Sequence, residues 1–471
     1  MKKLFLLFLM FQASLFAQSE AVSNLESQKE KYSEIAHTIW EYAEMGYQEE
    51  KSSALLQKTL EDEGFKIEKG VAGIPTAFIA EYGNKGPVIA ILGEYDALPG
   101  LSQKAVPEKA PGNGEAGHAC GHHLFGTAST AAAIEVKKWL EKNNQEGIIR
   151  FYGCPAEEGG SGKVYMVRAG LFDDVDVVLN WHPSSKNAAN PGIALANKSA
   201  KFRFYGKSAH AASAPEQGRS ALDAVEAMNY MVNMMREHVP ATSRIHYVIT
   251  SGGKAPNVIP DYAEVYYYSR HPNREEVKKI FDRMVKAAEG AAIGTGTTMK
   301  YEIIGGTHEL LPNLTLQKLI HENMTEIGGF EYTAKEKEFA EAIAPTLDLK
   351  SVKYSDAEEI EPFSEEIPSS GFGSTDVGDV SFAVPTGGLR TATWVPGTPA
   401  HSWQAVASGG MSIGEKGMLL AAKTLAVSAI DLFKSPELIE EVKLEFNNRR
   451  GDDFIYEPLI GDREPALDYR K

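Results

Sequence analysis

The sequence predicts an α/β fold: a mainly parallel sheet with flanking helices, interrupted by an inserted ferredoxin-like α+β domain. Two observations carry this. In the first half, short wholly apolar runs alternate with helix-like runs, the pattern of buried parallel strands joined by crossover helices. Near residue 196 the pattern changes to runs that alternate polar and apolar side chains, as half-exposed antiparallel strands do.

The elements follow in order. Residues 21–45 and 51–64 have helical periodicity, with Leu55, Leu56 and Leu60 sharing a face of the second. Pro75 to Tyr82 is a short β run, and Pro87 to Gly93 reads as a fully buried strand. A Gly- and Pro-rich loop (99–117) leads to an alanine-rich helix, Leu124 to Lys142. Gly147 to Gly153 and Val175 to Trp181 are further strands, separated by helical spacing over Gly162 to Ala169. Then come a strand at Lys201 to Tyr205 and a helix at Ser220 to Glu237. Strands at Tyr247 to Thr250 and Ala263 to Arg270, a helix at Arg274 to Ile293 and a strand at Lys300 to Ile304 complete the set. That order, β-α-β-β-α-β, is ferredoxin-like. Met228, Met231 and Met235 share one side of its first helix and serve either as its core or as a contact surface. Leu316 to Ile327 begins the return to the main domain, 345–373 reads as a long loop, and Gly410 to Phe433 is a late helix. The expected boundaries are 18–196 and 309–445 for the main domain, 197–308 for the insertion and 446–471 for a polar tail.

A chain of 471 residues with 43% hydrophobic and 24% charged side chains builds a large core, which excludes global disorder. A net charge of −16 repels nucleic acid and anionic membrane surfaces, so neither is an expected partner. Lys2 and Lys3, an apolar run from Leu4 to Ala17 broken only by Gln12 and Ser14, and then Gln18-Ser-Glu20 read as a secretory signal peptide cut after Ala17. The alternative, an uncleaved anchor, requires a longer apolar run. The expectation is an exported protein, periplasmic in a Gram-negative source, with no stable membrane association after cleavage.

Four polar clusters carry the chemistry. Three follow predicted parallel strands, where sites form in open α/β sheets: Glu94-Tyr-Asp96, Glu157-Glu158 and His182. The fourth, Gly117-His-Ala-Cys-Gly-His-His123, opens the alanine-rich helix. Cys120 and His122 flank one glycine and can converge on one ion. A helix N-terminus would lower the Cys120 pKa toward thiolate. Neighbouring Glu157 and Glu158 point different ways, so one can ligate while the other stays free as a base. Thiolate, imidazole and carboxylate together suit zinc, manganese, cobalt or nickel. A Cys120–Cys154 disulfide is the competing reading in an oxidising compartment; Cys154 otherwise packs as a small hydrophobe.

These motifs resemble the aminoacylase/carboxypeptidase family of metal-dependent amidohydrolases. Within it they resemble the aminobenzoyl-glutamate hydrolase branch, related to indole-acetyl-amino-acid hydrolases. The resemblance rests on Gly93 to Gly100, His118 to His123, Pro155 to Gly160, Asn180 to Pro183, Gly206 to His210, Gly373 to Asp379 and Pro396 to His401. It implies a metallohydrolase catalytic domain with an inserted lid and dimerisation domain, and two divalent metal ions per protomer, zinc or manganese first. Cys120, His122, Glu158, His182 and His401 match metal ligands and Glu157 the general base. Asp96 matches an orienting aspartate, His210 a lid histidine that reaches the neighbouring protomer's site, and Asn257 a lid residue near substrate. His123 departs from the pattern, standing where aspartate or asparagine commonly follows Gly-His. Asp376 and Asp379 either cap the next segment or line the substrate site, with support the preferred role. The implied activity is amide hydrolysis of N-acyl amino acids such as aminobenzoyl-glutamate by a homodimer. The alternatives are a dipeptidase for β-alanyl or lysyl dipeptides, a cysteine hydrolase using Cys120, and a non-catalytic metal-binding protein.

Overall fold

The computed structural model describes residues 19–369 and 373–470. The predicted signal peptide, 1–17, lies outside the described residues, and so do positions 370–372 of the predicted loop. The larger sheet contains β1 (Lys66–Lys69), β2 (Phe78–Tyr82) and β3 (Val88–Glu94). After the two-residue strands β4 (Leu98–Pro99) and β5 (Ala116–Gly117), it gains β6 (Ile148–Cys154), β7 (Val177–Ser184) and β12 (Thr386–Ala392). Its order is β1-β2-β6-β3-β7-β12. The β6-β3-β7-β12 block is parallel and β1-β2 add antiparallel strands at one side.

β3 is buried at every position, as its unbroken apolar run requires. The helix His122–Asn143 lies close against it because its residues are small: a Cβ on Gly126 would stand 2.7 Å from the Glu94 carbonyl oxygen. This close approach brings the start of the helix to the carboxyl end of β3. Among the described residues no helix is long and apolar enough to cross a membrane.

The inserted sheet comprises β8 (Ala196–Tyr205), β9 (Arg244–Ser251), β10 (Tyr262–His271) and β11 (Thr298–Thr307), all antiparallel in the order β11-β8-β10-β9. Helices Ala221–Met235 and Arg274–Thr295 connect them in the expected β-α-β-β-α-β sequence. Met228 and Met235 are buried in this domain's core and Met231 packs against it, so the methionines belong to the core.

Three parts of the chain differ from the sequence reading. β12 and the helices Ala334–Ile343, Val377–Ala383 and Trp403–Gly409 lie in stretches that carried no assignment. The predicted loop contains a helical turn, Ser355–Glu358. The polar tail is not a free tail: a helix continues to Arg450, and Leu459 and Ile460 beyond it are buried.

Candidate active site

The candidate ligands and base converge at the carboxyl end of the parallel strands. Glu94 ends β3 and Asp96 follows it; Glu157 and Glu158 follow β6; His182 lies on β7. Gly121, at φ 77°, turns the chain between Cys120 and His122, and a Cβ there would sit 2.7 Å from Pro183. His401, in the loop after β12, is itself held at φ 59°, a conformation rarely kept by a non-glycine residue without surrounding constraint.

Among the described residues, Cys120, His122 and His182 present donor atoms within 4.8 Å of one another, and so do Cys120, Glu158 and His401. Cys120 is the shared member. Its Sγ lies 3.4 Å from His182 Nε2, while His182 Nδ1 donates to the Pro183 carbonyl at 2.7 Å, which leaves Nε2 its lone pair. His122 Nδ1 is bonded to Asp96 Oδ1 at 2.7 Å. His401 Nε2 stands 3.3 Å from Glu158 Oε1. His122 Nε2 and Glu158 Oε1 are buried and make no hydrogen bond; each instead faces an ion-pair partner, Glu94 Oε2 at 3.1 Å and His401 Nε2 at 3.3 Å. Buried polar atoms left without hydrogen bonds around a thiol are costly, and a cation would satisfy them. The residues therefore fit divalent metal ions, with Cys120 the donor common to both groups.

Glu157 belongs to neither group around Cys120. It lies with Glu94 and His122, within the same 4.8 Å. Burial, then Glu94, Glu158 and Asp376, hold its carboxyl well above the usual carboxylate range. Burial and the neighbouring His122 pull His182 down to about 3, so it is neutral, as an imidazole ligand must be. The expected lowering of the Cys120 pKa is corrected. Burial, then Glu158, push the thiol up, outweighing the helix terminus, so a cation is needed to make it thiolate. Both cysteines are free. Cys154 is buried, with its Sγ against the Tyr152 carbonyl and its thiol pushed up to about 12 by burial.

Asp96 does more than orient His122. Its second oxygen accepts the Glu158 N–H at 2.8 Å, tying a ligand histidine to the Glu157-Glu158 loop. Asp96→Asn is expected to weaken metal binding by about 10–100-fold, the usual effect of losing an outer partner of a ligand. Competition with a chromophoric chelator measures this; unchanged affinity refutes the role. His123 does not fill that place: its Nε2 donates to the Gly409 carbonyl at 3.1 Å, and His118 similarly donates to Ile39.

Two supporting residues, Lys163 and Glu49, carried no role in the sequence reading. Lys163 is fully buried between Glu94 (2.6 Å) and Asp376 (2.7 Å). Glu49, also buried, accepts the Ala156 N–H at 2.8 Å beneath the Glu157 loop. The signal for Lys163 was a lone charge inside Gly162-Lys-Val-Tyr-Met-Val167; Glu94 was visible as an acid closing a buried strand. Asp376 makes no capping bond; it accepts from the Lys163 N–H and Nζ and also lines the cavity over the site, whereas Asp379 accepts from His308 N–H and the Tyr456 hydroxyl as a support.

A cavity of about 1040 Å³ opens over the cluster, walled by Glu157, His182 and Arg390 on one side and by Tyr268 and Arg270 of the inserted domain on the other. His210 and Asn257 do not line it. They are exposed neighbours on the inserted domain, joined through the Ala211 N–H and the Asn257 carbonyl at 3.0 Å.

Residues 196–295 match the family model for a peptidase dimerisation domain. The chain is 43% identical over 446 residues to a p-aminobenzoyl-glutamate hydrolase subunit of Escherichia coli (strain K12), covering 89% of this chain and 93% of that protein. It is 32% identical to the Xaa-Arg dipeptidase of Mus musculus, covering 90% and 91%. A solved Bacillus subtilis structure described as a dinuclear metal-binding peptidase from the M20 family shares the fold. Its TM-score is 0.59 at 18% identity, with 87% of this chain and 99% of that one covered.

Proposed function

This chain belongs to the M20 family of metal-dependent peptidases and amidohydrolases and is a hydrolase of amide bonds, and from that premise we propose that it cleaves N-acyl amino acids of the aminobenzoyl-glutamate type. The observation that carries the reading is Cys120 shared by two donor groups with Glu157 beside them and in neither. Cys120, His122, Glu158, His182 and His401 would hold two divalent ions, zinc or manganese, which when bound would supply Lewis-acid polarisation of the carbonyl and a lowered pKa for water. Glu157 takes the proton of the attacking water and passes it to the leaving nitrogen. The upward direction of its shift favours holding the proton between the two transfers. Asp96 orients His122. A nucleophilic Cys120 is disfavoured because its sulfur stands between the donor groups and burial keeps it protonated.

The test is metal-loaded protein screened against aminobenzoyl-glutamate, other N-acyl amino acids, and Xaa-Arg, β-alanyl and lysyl dipeptides, with released amine as the readout. The dipeptide arm follows from the full-length similarity to a dipeptidase. Release from dipeptides alone replaces the N-acyl reading, and activity that survives a chelator refutes the metal-dependent one.

The same reading takes the protein to be exported and a homodimer. β9 is an edge strand whose Tyr247, Val248 and Ile249 are exposed, Val248 by 56%, a surface suited to pairing with its copy. His210, exposed on the inserted domain, then completes the partner's site by stabilising the oxyanion, with Asn257 beside it near substrate. Inactive Glu157→Gln protomers exchanged with inactive His210→Ala protomers are expected to regain activity, because one site in each heterodimer combines both intact residues. Proven exchange without recovered activity refutes action in trans.

A further inference from the structure

Residues 452–470 run from the inserted domain to the wall of the active site. Leu459 is buried against Ala196 and Val277. Arg463 donates to the Ile304 carbonyl on β11 and pairs with Glu302. Arg168 then holds the carbonyls of Gly461 and Arg463, and Gln48 holds that of Leu467 at 2.9 Å. The path ends with the Tyr469 ring edge-on to Tyr47, centroids 5.6 Å apart. There the Tyr469 hydroxyl (3.2 Å) and Arg470 Nη2 (2.8 Å) both donate to one acceptor, the backbone carbonyl of Glu158.

That carbonyl belongs to a backbone under constraint. Ala156 (φ 57°), Gly159 (φ 103°) and Ser161 (φ 60°) all lie in the left-handed region, which two non-glycine residues keep only when their surroundings over-determine it. Glu49 fixes the loop at the Ala156 N–H and Asp96 at the Glu158 N–H. Neither anchor sets the Glu158 carbonyl; the other end of its peptide is held locally, the Gly159 N–H donating to the Glu157 carbonyl at 2.7 Å, and rotation of that peptide would break this bond and swing the Glu158 side and the turn that follows. We propose that residues 452–470 form a strap that locks this peptide, with Arg470 and Tyr469 as positioning residues for Glu157 and Glu158. Because the strap also grips β11, it couples the seating of the inserted domain to the geometry of the base and the ligand. The proposal rests on the roles given above to Glu157 and Glu158.

The test pairs hydrogen exchange with kinetics. In unloaded protein, Arg470→Ala is expected to speed exchange in the peptide covering 155–162 by at least about tenfold, since the loop opens more often. In metal-loaded protein it is expected to lower kcat by about 10–10²-fold with KM changed less than about threefold, the signature of misplaced groups. Arg470→Lys, which keeps a donor, is expected to recover part of both, and Tyr469→Phe, which keeps the ring packing, to show a smaller loss. Unchanged exchange at 155–162 overturns the strap, whatever the substrate proves to be. So does a raised KM with kcat intact, which would make Arg470 a substrate contact. If wild-type protein hydrolyses none of the compounds screened, the substrate reading fails and the exchange result still decides the strap.

Discussion

Glu157→Gln is expected to retain full metal content and to lose about 10²–10⁴-fold in turnover, the usual effect of removing a general base. The amide matches the carboxyl in shape but cannot take a proton from water. Loss of metal is not expected, because Glu157 lies outside both donor groups that share Cys120. Loss of fold is not expected either. The carboxyl is crowded by Glu94, Glu158 and Asp376, and a neutral amide relieves that repulsion. Metal analysis and steady-state rate on one preparation decide the matter. Wild-type turnover would remove Glu157 from the mechanism; missing metal would make it a ligand.

Cys120→Ala is expected to weaken both ions together, by more than the ~10–100-fold that follows loss of an outer partner, and to abolish activity at ordinary metal concentrations. Titration of metal-free protein should show two binding steps in the wild type and a fall in both for the variant. Weakening of only one would show that the sulfur is not shared. Cys154→Ser is expected to keep both ions, since its sulfur sits against the Tyr152 carbonyl. Thiol counting on unfolded, unreduced, metal-free protein should find both cysteines free, as in the structure. In an oxidising compartment a bound cation also guards the thiol, because oxidation of Cys120 would remove the bridge.

The parts of the fold legible in the sequence are those where one physical cause dominates. β3, β6 and β7 are buried on both faces, so their apolar runs stand out. The inserted domain shows because its sheet is covered on one face, so that β8 and β10 alternate along much of their length. β12 is hidden because Gly387, Gly388 and Arg390 interrupt its apolar pattern, although it pairs in parallel along the whole of β7 from Val178 to Ser184. At the site, Glu157, Glu158 and His182 were readable from chemistry placed after buried strands, and Cys120 and His122 from their spacing at the start of a helix. His401 was legible only through resemblance, since nothing local marks a histidine in a proline- and glycine-rich loop. Lys163 and Glu49 were missed because a charge in a sequence is ordinarily a surface residue; these two are buried only because the fold supplies partners from distant segments. The strap was missed for a similar reason. Its residues are mostly polar and anchor through backbone carbonyls, which composition does not reveal.

The order of the donors along the chain has a consequence for biosynthesis. Cys120, His122 and His182 all precede the inserted domain, whereas His401 follows it. The first group of candidate donors is therefore complete on an early stretch of polypeptide, while the second waits for β12 to join the edge of the sheet and for the loop behind it to adopt the backbone of His401. Contacts of such long sequence separation form late, after the entropy of closing the intervening chain has been met. On the function proposed above, only a chain that has been made past residue 401 and has seated its last strand would hold both ions.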